Sequence, residues 1–290
     1  MKLQKIALAT LFALSVVACS EEDRITLKDA QDISEDALTD SYYEDADDLS
    51  TVALEADDNA EGGLGAARTK TVIVVDDSRF ECATVTVTIA EDSQPSNPKG
   101  NIEIDFGTGC TDNNGNVRSG IINVAYEGRR FQPGSTAVLT TDNYFINSVK
   151  LEGTRTLTNV TESNTTSPKF NVTLVGGKAT FPDGRVANRE VDITREWFRN
   201  STPTYTDDEL RILEGSTASG VTRNGRNYTM VVEETIVFKR NCGVRFPVDG
   251  VKVFTVESKP ITINYGDGEC DRSVTYTVGD NTFTTNVPRN

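Results

Sequence analysis

Asn101-Ile102-Glu103-Ile104-Asp105-Phe106-Gly107-Thr108-Gly109-Cys110 sets an apolar side chain at every second position and closes on glycines and a cysteine. Period-two alternation puts the apolar groups on one face of an extended strand and the carboxylates on the other. The stretch returns near the C-terminus as Pro260-Ile261-Thr262-Ile263-Asn264-Tyr265-Gly266-Asp267-Gly268-Glu269-Cys270, one residue longer, and Cys82 and Cys242 each stand 28 positions ahead of their downstream cysteine. Composition bias can generate Ile-x-Ile, but not readily the glycines and cysteines with it. The pattern therefore reads as two duplicated β-hairpin units, near 70–126 and 230–290.

Outward from these units the alternation continues, as in Val85, Val87 and Ile89 against Thr84, Thr86 and Thr88, and in Val274, Tyr276 and Val278 against Ser273, Thr275 and Thr277. Asn114-Gly115, Gly176-Gly177, Asp183-Gly184, Asn224-Gly225, Asp249-Gly250 and Gly279-Asp280 are turn pairs that tolerate positive φ. The expectation for 68–290 is an all-β body of about a dozen strands in an antiparallel meander, either sandwich-like or a single curled sheet. One interior helix is expected, with Thr206 and Glu209 as a capping box, Leu210 and Leu213 as its apolar edge, and Gly215 as its end.

The N-terminus reads as an export signal over 1–18, with Lys2 and Lys5 ahead of an apolar or small run at 6–17 that is too short to span a bilayer. It ends in Val16-Val17-Ala18-Cys19, which resembles the bacterial lipobox and implies lipidation, diacylglycerol and palmitate included, at Cys19. Ser20, Glu21, Glu22 and Asp23 resemble the signal that sends Bacteroidota lipoproteins to the cell surface, which implies an outer-membrane protein facing the exterior. Residues 20–61 carry 16 acidic side chains against Arg24 and Lys28, a net of −14 out of −15 for the whole chain. With no proline and few large apolar groups, 19–67 is expected as a lipid anchor and flexible, disordered acidic tether. As a coil, its 42 residues between 20 and 61 reach about 35 Å. Ala30, Ile33, Ala37 and Leu38 share a helical face, and Ser34 suits a cap, so a local helix is the competing reading.

The Ile-x-Ile-Asp-Phe-Gly-Thr-Gly-Cys stretch and the Asn-Gly-Arg-Asn-Tyr turn at 224–228 give residues 70–290 a resemblance to uncharacterised β-rich lipoproteins of Bacteroidota. The resemblance implies a fold and a compartment and carries no activity.

The four cysteines left after Cys19 allow three pairings. Treating both copies alike and locally selects Cys82 with Cys110 and Cys242 with Cys270, and a turn near Gln94 and Pro95 would bring the first pair opposite. Pairing the corresponding cysteines, Cys82 with Cys242 and Cys110 with Cys270, also respects the repeat. The chain has no histidine, which removes Ser-His-Asp and Cys-His systems and His-ligated metals. No Gly-rich phosphate loop stands between a strand and a helix, and the expectation is no metal and no cofactor. Asp112, Asn114 and Gly115 echo a calcium loop, but no closing glutamate follows. Net acidity argues against nucleic acid.

Arg195-Glu196-Trp197-Phe198-Arg199 sets the sole tryptophan between arginines, either as a sugar-stacking platform or as a core tryptophan with charged neighbours, and Arg129-Arg130-Phe131 is similarly two-sided. Two functions follow. The first is a membrane-anchored lipoprotein of non-catalytic binding or structural role, with a glycan or envelope protein as partner and no catalytic residues. The alternative is a carboxylate-dependent glycan hydrolase using Asp105, Asp192 and Glu196.

Overall fold

The computed structural model describes residues 24–57, 70–162, 167–199, 207–242 and 246–286. The signal 1–18, Cys19, Ser20, Glu21, Glu22, Asp23, the segment 62–67 and Thr206 lie outside the described residues.

The alternation forms strands wherever it was expected. After helix α1 (Leu27–Ala56) come β1 (Thr71–Ile73), β2 (Thr84–Ile89), β3 (Lys99–Asp105), β4 (Cys110–Thr111), β5 (Val117–Glu127), β6 (Thr136–Ile146), β7 (Val149–Asn159) and β8 (Lys169–Thr180). They continue as β9 (Val186–Phe198), β10 (Glu209–Ile212), β11 (Thr217–Val221), β12 (Asn227–Lys239), β13 (Asp249–Val256), β14 (Lys259–Asp267), β15 (Ser273–Val278) and β16 (Asn281–Asn286). All sixteen belong to one antiparallel meander that runs from β1 to β16, with β4 on β5 and β11 between β9 and β12. The fold is all-β as expected, and a sandwich is ruled out for the described residues, because the layer facing the sheet is a helix.

That helix corrects the reading of the acidic segment 19–67 as disordered for its described part, residues 24–57. Thr26 caps α1 in a capping box with Asp29, and Asp29, Asp32, Tyr43, Asp47, Leu49 and Leu54 are buried along its length. A flat sheet of this path would be about 60 Å wide, whereas a 30-residue helix is about 45 Å long and 10 Å across. Yet buried inward residues from Val85 on β2 to Val278 on β15 form one cluster with Leu49 and Ala53 of α1. The sheet meets that condition by curling around the helix. Bulges supply the bend. At the β5 bulge Gly120 has φ 79°, and a Cβ there would lie 2.0 Å from the Asn143 carbonyl oxygen.

Acidic side chains bury in α1 because arginines occupy inward positions of the sheet. Arg118 on β5 holds Asp45 at 2.8 Å and Asp112 at 2.6 Å. On β7, Arg155 meets Asp47 at 2.7 Å and Glu44 at 2.9 Å. Arg189 and Arg195 on β9 pair with Asp36 and Asp40 and with Glu44 and Asp47 respectively. Arg226 and Lys259 close on Asp29 at 2.8 Å each, and Arg226 also takes Asp32. The net charge of the helix is therefore balanced inside the body, not displayed on a spacer.

One helix expectation and two turn expectations are also corrected. Glu209–Ile212 is a strand between β9 and β12, not a helix, since both neighbours offer it a ladder. Gly176-Gly177 is a bulge inside β8, and Asp249-Gly250 opens β13 with a register shift rather than making a hairpin. Asn147 and Ser148, both at positive φ, make the β6–β7 turn without a glycine.

Both cysteine pairs form locally, Cys82 with Cys110 and Cys242 with Cys270, with Cα atoms 5.7 and 5.2 Å apart. Each staples the open end of a hairpin, β2–β3 and β13–β14, and the repeat thereby becomes two matching units on the flanks of the sheet. In the second copy β13 and β14 pair with a register shift between Asp249 and Val251.

Removing one member of a buried charge pair leaves the other uncompensated. Arg155→Ala should lower unfolding free energy by about 3–5 kcal/mol in urea titrations, whereas the more exposed Lys150→Ala should cost under about 0.5 kcal/mol.

Acid should act through the same pairs. Burial raises the pKa of Asp112, but Arg118 and the backbone and side chain of Asn116 outweigh it and hold it at about 2. Asp29 is likewise below the usual carboxylate range, its burial outweighed by Lys259, the Thr26 N–H and Arg226. Burial wins at Asp45, whose pKa is raised despite Arg118. A depressed folded pKa gives stability that is complete above the unfolded value of about 3.9 and is lost as pH falls through the folded one. Urea titrations of Asp112→Asn should show a shallower loss between about pH 4 and 2 than the parent chain.

Candidate functional site

The strands run alternately toward two ends of the curled sheet. One end holds the β11–β12 and β13–β14 turns, where Asn224, Arg226 and Lys259 grip the N-terminal turns of α1. At the other end β5, β7, β9 and β12 finish beside the C-terminal half of α1, and a cavity of about 350 Å³ opens between them. Leu54 of α1, Leu157, Phe170, Val172, Trp197 and Leu210 give it apolar walls. Its volume and mixed walls are those of a small-molecule site.

Local sequence explains how each polar group arrives. On β9 the inward phase runs Ala187, Arg189, Val191, Ile193, Arg195 and Trp197, so Arg195 and Trp197 reach the cavity side by side while Glu196 and Phe198 face the other way. Phe198 instead lies under the Arg211 guanidinium, 3.5 Å from its ring centre. In the turn after β5, Arg130 stacks on Phe131 at 4.8 Å, and the Phe131 ring sits 6.2 Å from Phe170 and 6.3 Å from Trp197. Arg199 covers the Trp197 ring at 5.4 Å. The two aromatic-arginine motifs of the sequence, far apart in the chain, thus meet in one cluster.

Arg195 shares Glu44 and Asp47 with Arg155 along the α1 wall. Burial raises the Glu44 pKa in spite of both arginines, and Asp40 and Asp47 add repulsion. Asp208, 7% exposed, accepts the Trp197 Nε1–H at 2.9 Å. It has no salt bridge among the described residues.

The carboxylates expected for hydrolysis are not brought together. Asp105 is on β3 and Asp192 and Glu196 on β9, five ladder steps or about 24 Å apart along the sheet. Asp192 and Glu196 are four residues apart on one strand, about 13 Å. Glycosidase pairs sit about 5–9.5 Å apart. Asp105 accepts the Gly107 N–H, Asp192 an Asn171 amide, and Glu196 pairs with Lys169. Asp112 is occupied by Arg118 and Asn116 and closes its own turn.

Sequence reasoning missed Glu44, Asp47 and Asp208. The signal for the first two was the arginines at apolar-phase positions of β7 and β9, each of which calls for a buried counter-charge. No protein-family model matches this chain, and no curated protein or solved structure matches it significantly. Nothing positive therefore points to an enzyme family.

If Asp208 anchors the indole, Asp208→Ala should lower stability by about 1–3 kcal/mol in thermal or urea unfolding. Asp208→Asn, which keeps an acceptor for Nε1, should recover most of it.

Proposed function

We propose that this chain is a lipid-anchored lipoprotein of the outer membrane, facing the cell exterior, that binds a small ligand without transforming it. The observation that carries the reading is the cavity, armed with Trp197, Phe170 and adjacent charged groups, at the end of the body remote from the start of α1. With Cys19 as the lipidated residue, residues 20–26 are the whole leash before α1, about 24 Å when extended. That is shorter than the reach of a 42-residue coil, and the cavity lies about 30 Å further along α1, near Asp48. The anchor thus fixes the body near the bilayer and leaves the cavity at its far end.

The carboxylates of α1 are consumed by internal arginines, which leaves Glu21, Glu22 and Asp23 as the acidic run available to an export receptor. Their replacement by alanine should leave the protein lipidated and membrane-bound but resistant to protease added to intact cells. Cys19→Ala should abolish lipidation. Undiminished digestion of the triple variant would remove the export role from these residues. The binding role is tested with a panel of glycans and small molecules read by Trp197 emission: saturable binding without product release supports it, and release of products supports a hydrolase.

A further inference from the structure

The chemistry of the cavity wall selects among ligands, and the selection rests on the cavity being a ligand site. Five carboxylates line it, Glu44, Asp47, Asp48, Asp208 and Glu209, against Arg130, Arg195 and Arg240. Glu44 and Asp47 are matched by Arg195 together with Arg155 behind it. Asp208 differs. It is more than nine-tenths buried, its side chain meets the neutral indole N–H of Trp197, and among the described residues no cation pairs with it. A buried carboxylate whose side-chain partner is a neutral donor favours a cation brought to it. The Asp47 side chain is only 5% exposed, and its Oδ1 has no hydrogen-bond partner among the described residues although its Oδ2 holds two arginines. Asp208 and Asp47 belong to the same wall as the rings of Trp197, Phe170 and Tyr126. Asp48 pairs with Arg79 and Glu209 with Arg211, so Asp208 is the carboxylate of the wall without a salt bridge among the described residues, and an anion placed beside it would be repelled. A neutral alcohol would satisfy an acceptor but leave the charge. An ammonium group supplies donors, the missing charge and an attraction to aromatic faces together.

We propose that the cavity binds a primary amine with an apolar body, its ammonium group countered by Asp208 beside Trp197 and its body lying against Leu54, Leu157, Phe170 and Leu210.

Because Trp197 is the only tryptophan of the chain, its emission reports the site directly. The purified full chain, held in phosphatidylcholine vesicles, is titrated with hexylammonium, hexan-1-ol, hexanoate and cellobiose. Hexylammonium should shift the emission saturably, at least tenfold tighter than hexan-1-ol, and hexanoate should leave it unchanged. In Asp208→Asn the tenfold preference should vanish while hexan-1-ol binding and the thermal melt are kept. Equal affinity for alcohol and amine, tightest binding of hexanoate, or a preference that survives Asp208→Asn would overturn the proposal. Should Asp208→Asn fail to fold, Leu157→Phe fills the cavity and leaves Asp208 in place, and hexylammonium binding that persists in it overturns the proposal as well. A response to cellobiose alone removes the amine and leaves the binding role standing, whereas silence toward these probes and toward the glycan panel removes both.

Discussion

Arg155 occupies a position on β7 where Val149, Leu151 and Leu157 set an apolar phase, and its guanidinium is nearly fully buried between Asp47 and Glu44 of α1. Arg118, Arg189 and Arg195 repeat the arrangement on β5 and β9. A guanidinium cannot be left in an apolar interior without a partner, and neither can a carboxylate. Each group is therefore tolerable only while the other is present. These pairs bind a helix of low hydrophobicity to the inside of a sheet whose other inward residues are mainly aliphatic and aromatic, such as Ile102, Val124, Tyr228 and Phe254. They also specify register, since a one-residue slip of a strand would carry its arginine to the solvent face.

The curl of the sheet follows from the same constraint. Partners of α1 come from the 3₁₀ turn Ser78–Phe80, from β5, β7 and β9, from the β11–β12 turn and from β14. One helix can meet all of them only if the sheet wraps it, and bulges such as those at Gly120 and Gly250 provide the bends. The helix does not fill the whole interior. Where its C-terminal half passes the ends of β5, β7 and β9, the space left over becomes the cavity, with Trp197 and Phe170 on the sheet side and Glu44 and Asp47 on the helix side.

The two disulfide hairpins act at the margins. Cys82–Cys110 holds β2 to the strand after β3, and Cys242–Cys270 holds the approach to β13 to the end of β14. In the chain-entropy view each 28-residue closure contributes about 3–4 kcal/mol by restricting the unfolded chain. This strengthens the flanks, which lie nearest the terminal strands β1 and β16 of the sheet, while the centre relies on the ion pairs.

By itself the sequence determined the strands that alternate, though not Glu209–Ile212, and with them the all-β class, the paired hairpins and their cysteine partners, because alternation, turn pairs and the repeat act over a few residues or between two matching copies. Trp197, Arg195, Arg130 and Phe131 were legible as unusual, though not as neighbours. Only the tertiary structure decided the fate of the acidic segment. A carboxylate run has the composition of a solvated coil, and what makes Asp29, Asp32, Asp36 and Asp47 bury is a set of arginines more than a hundred residues away that matter only once the sheet has aligned them. The same holds for the cavity and for Asp208, whose burial and lack of a salt bridge among the described residues depend on which strand ends the curl brings beside the helix.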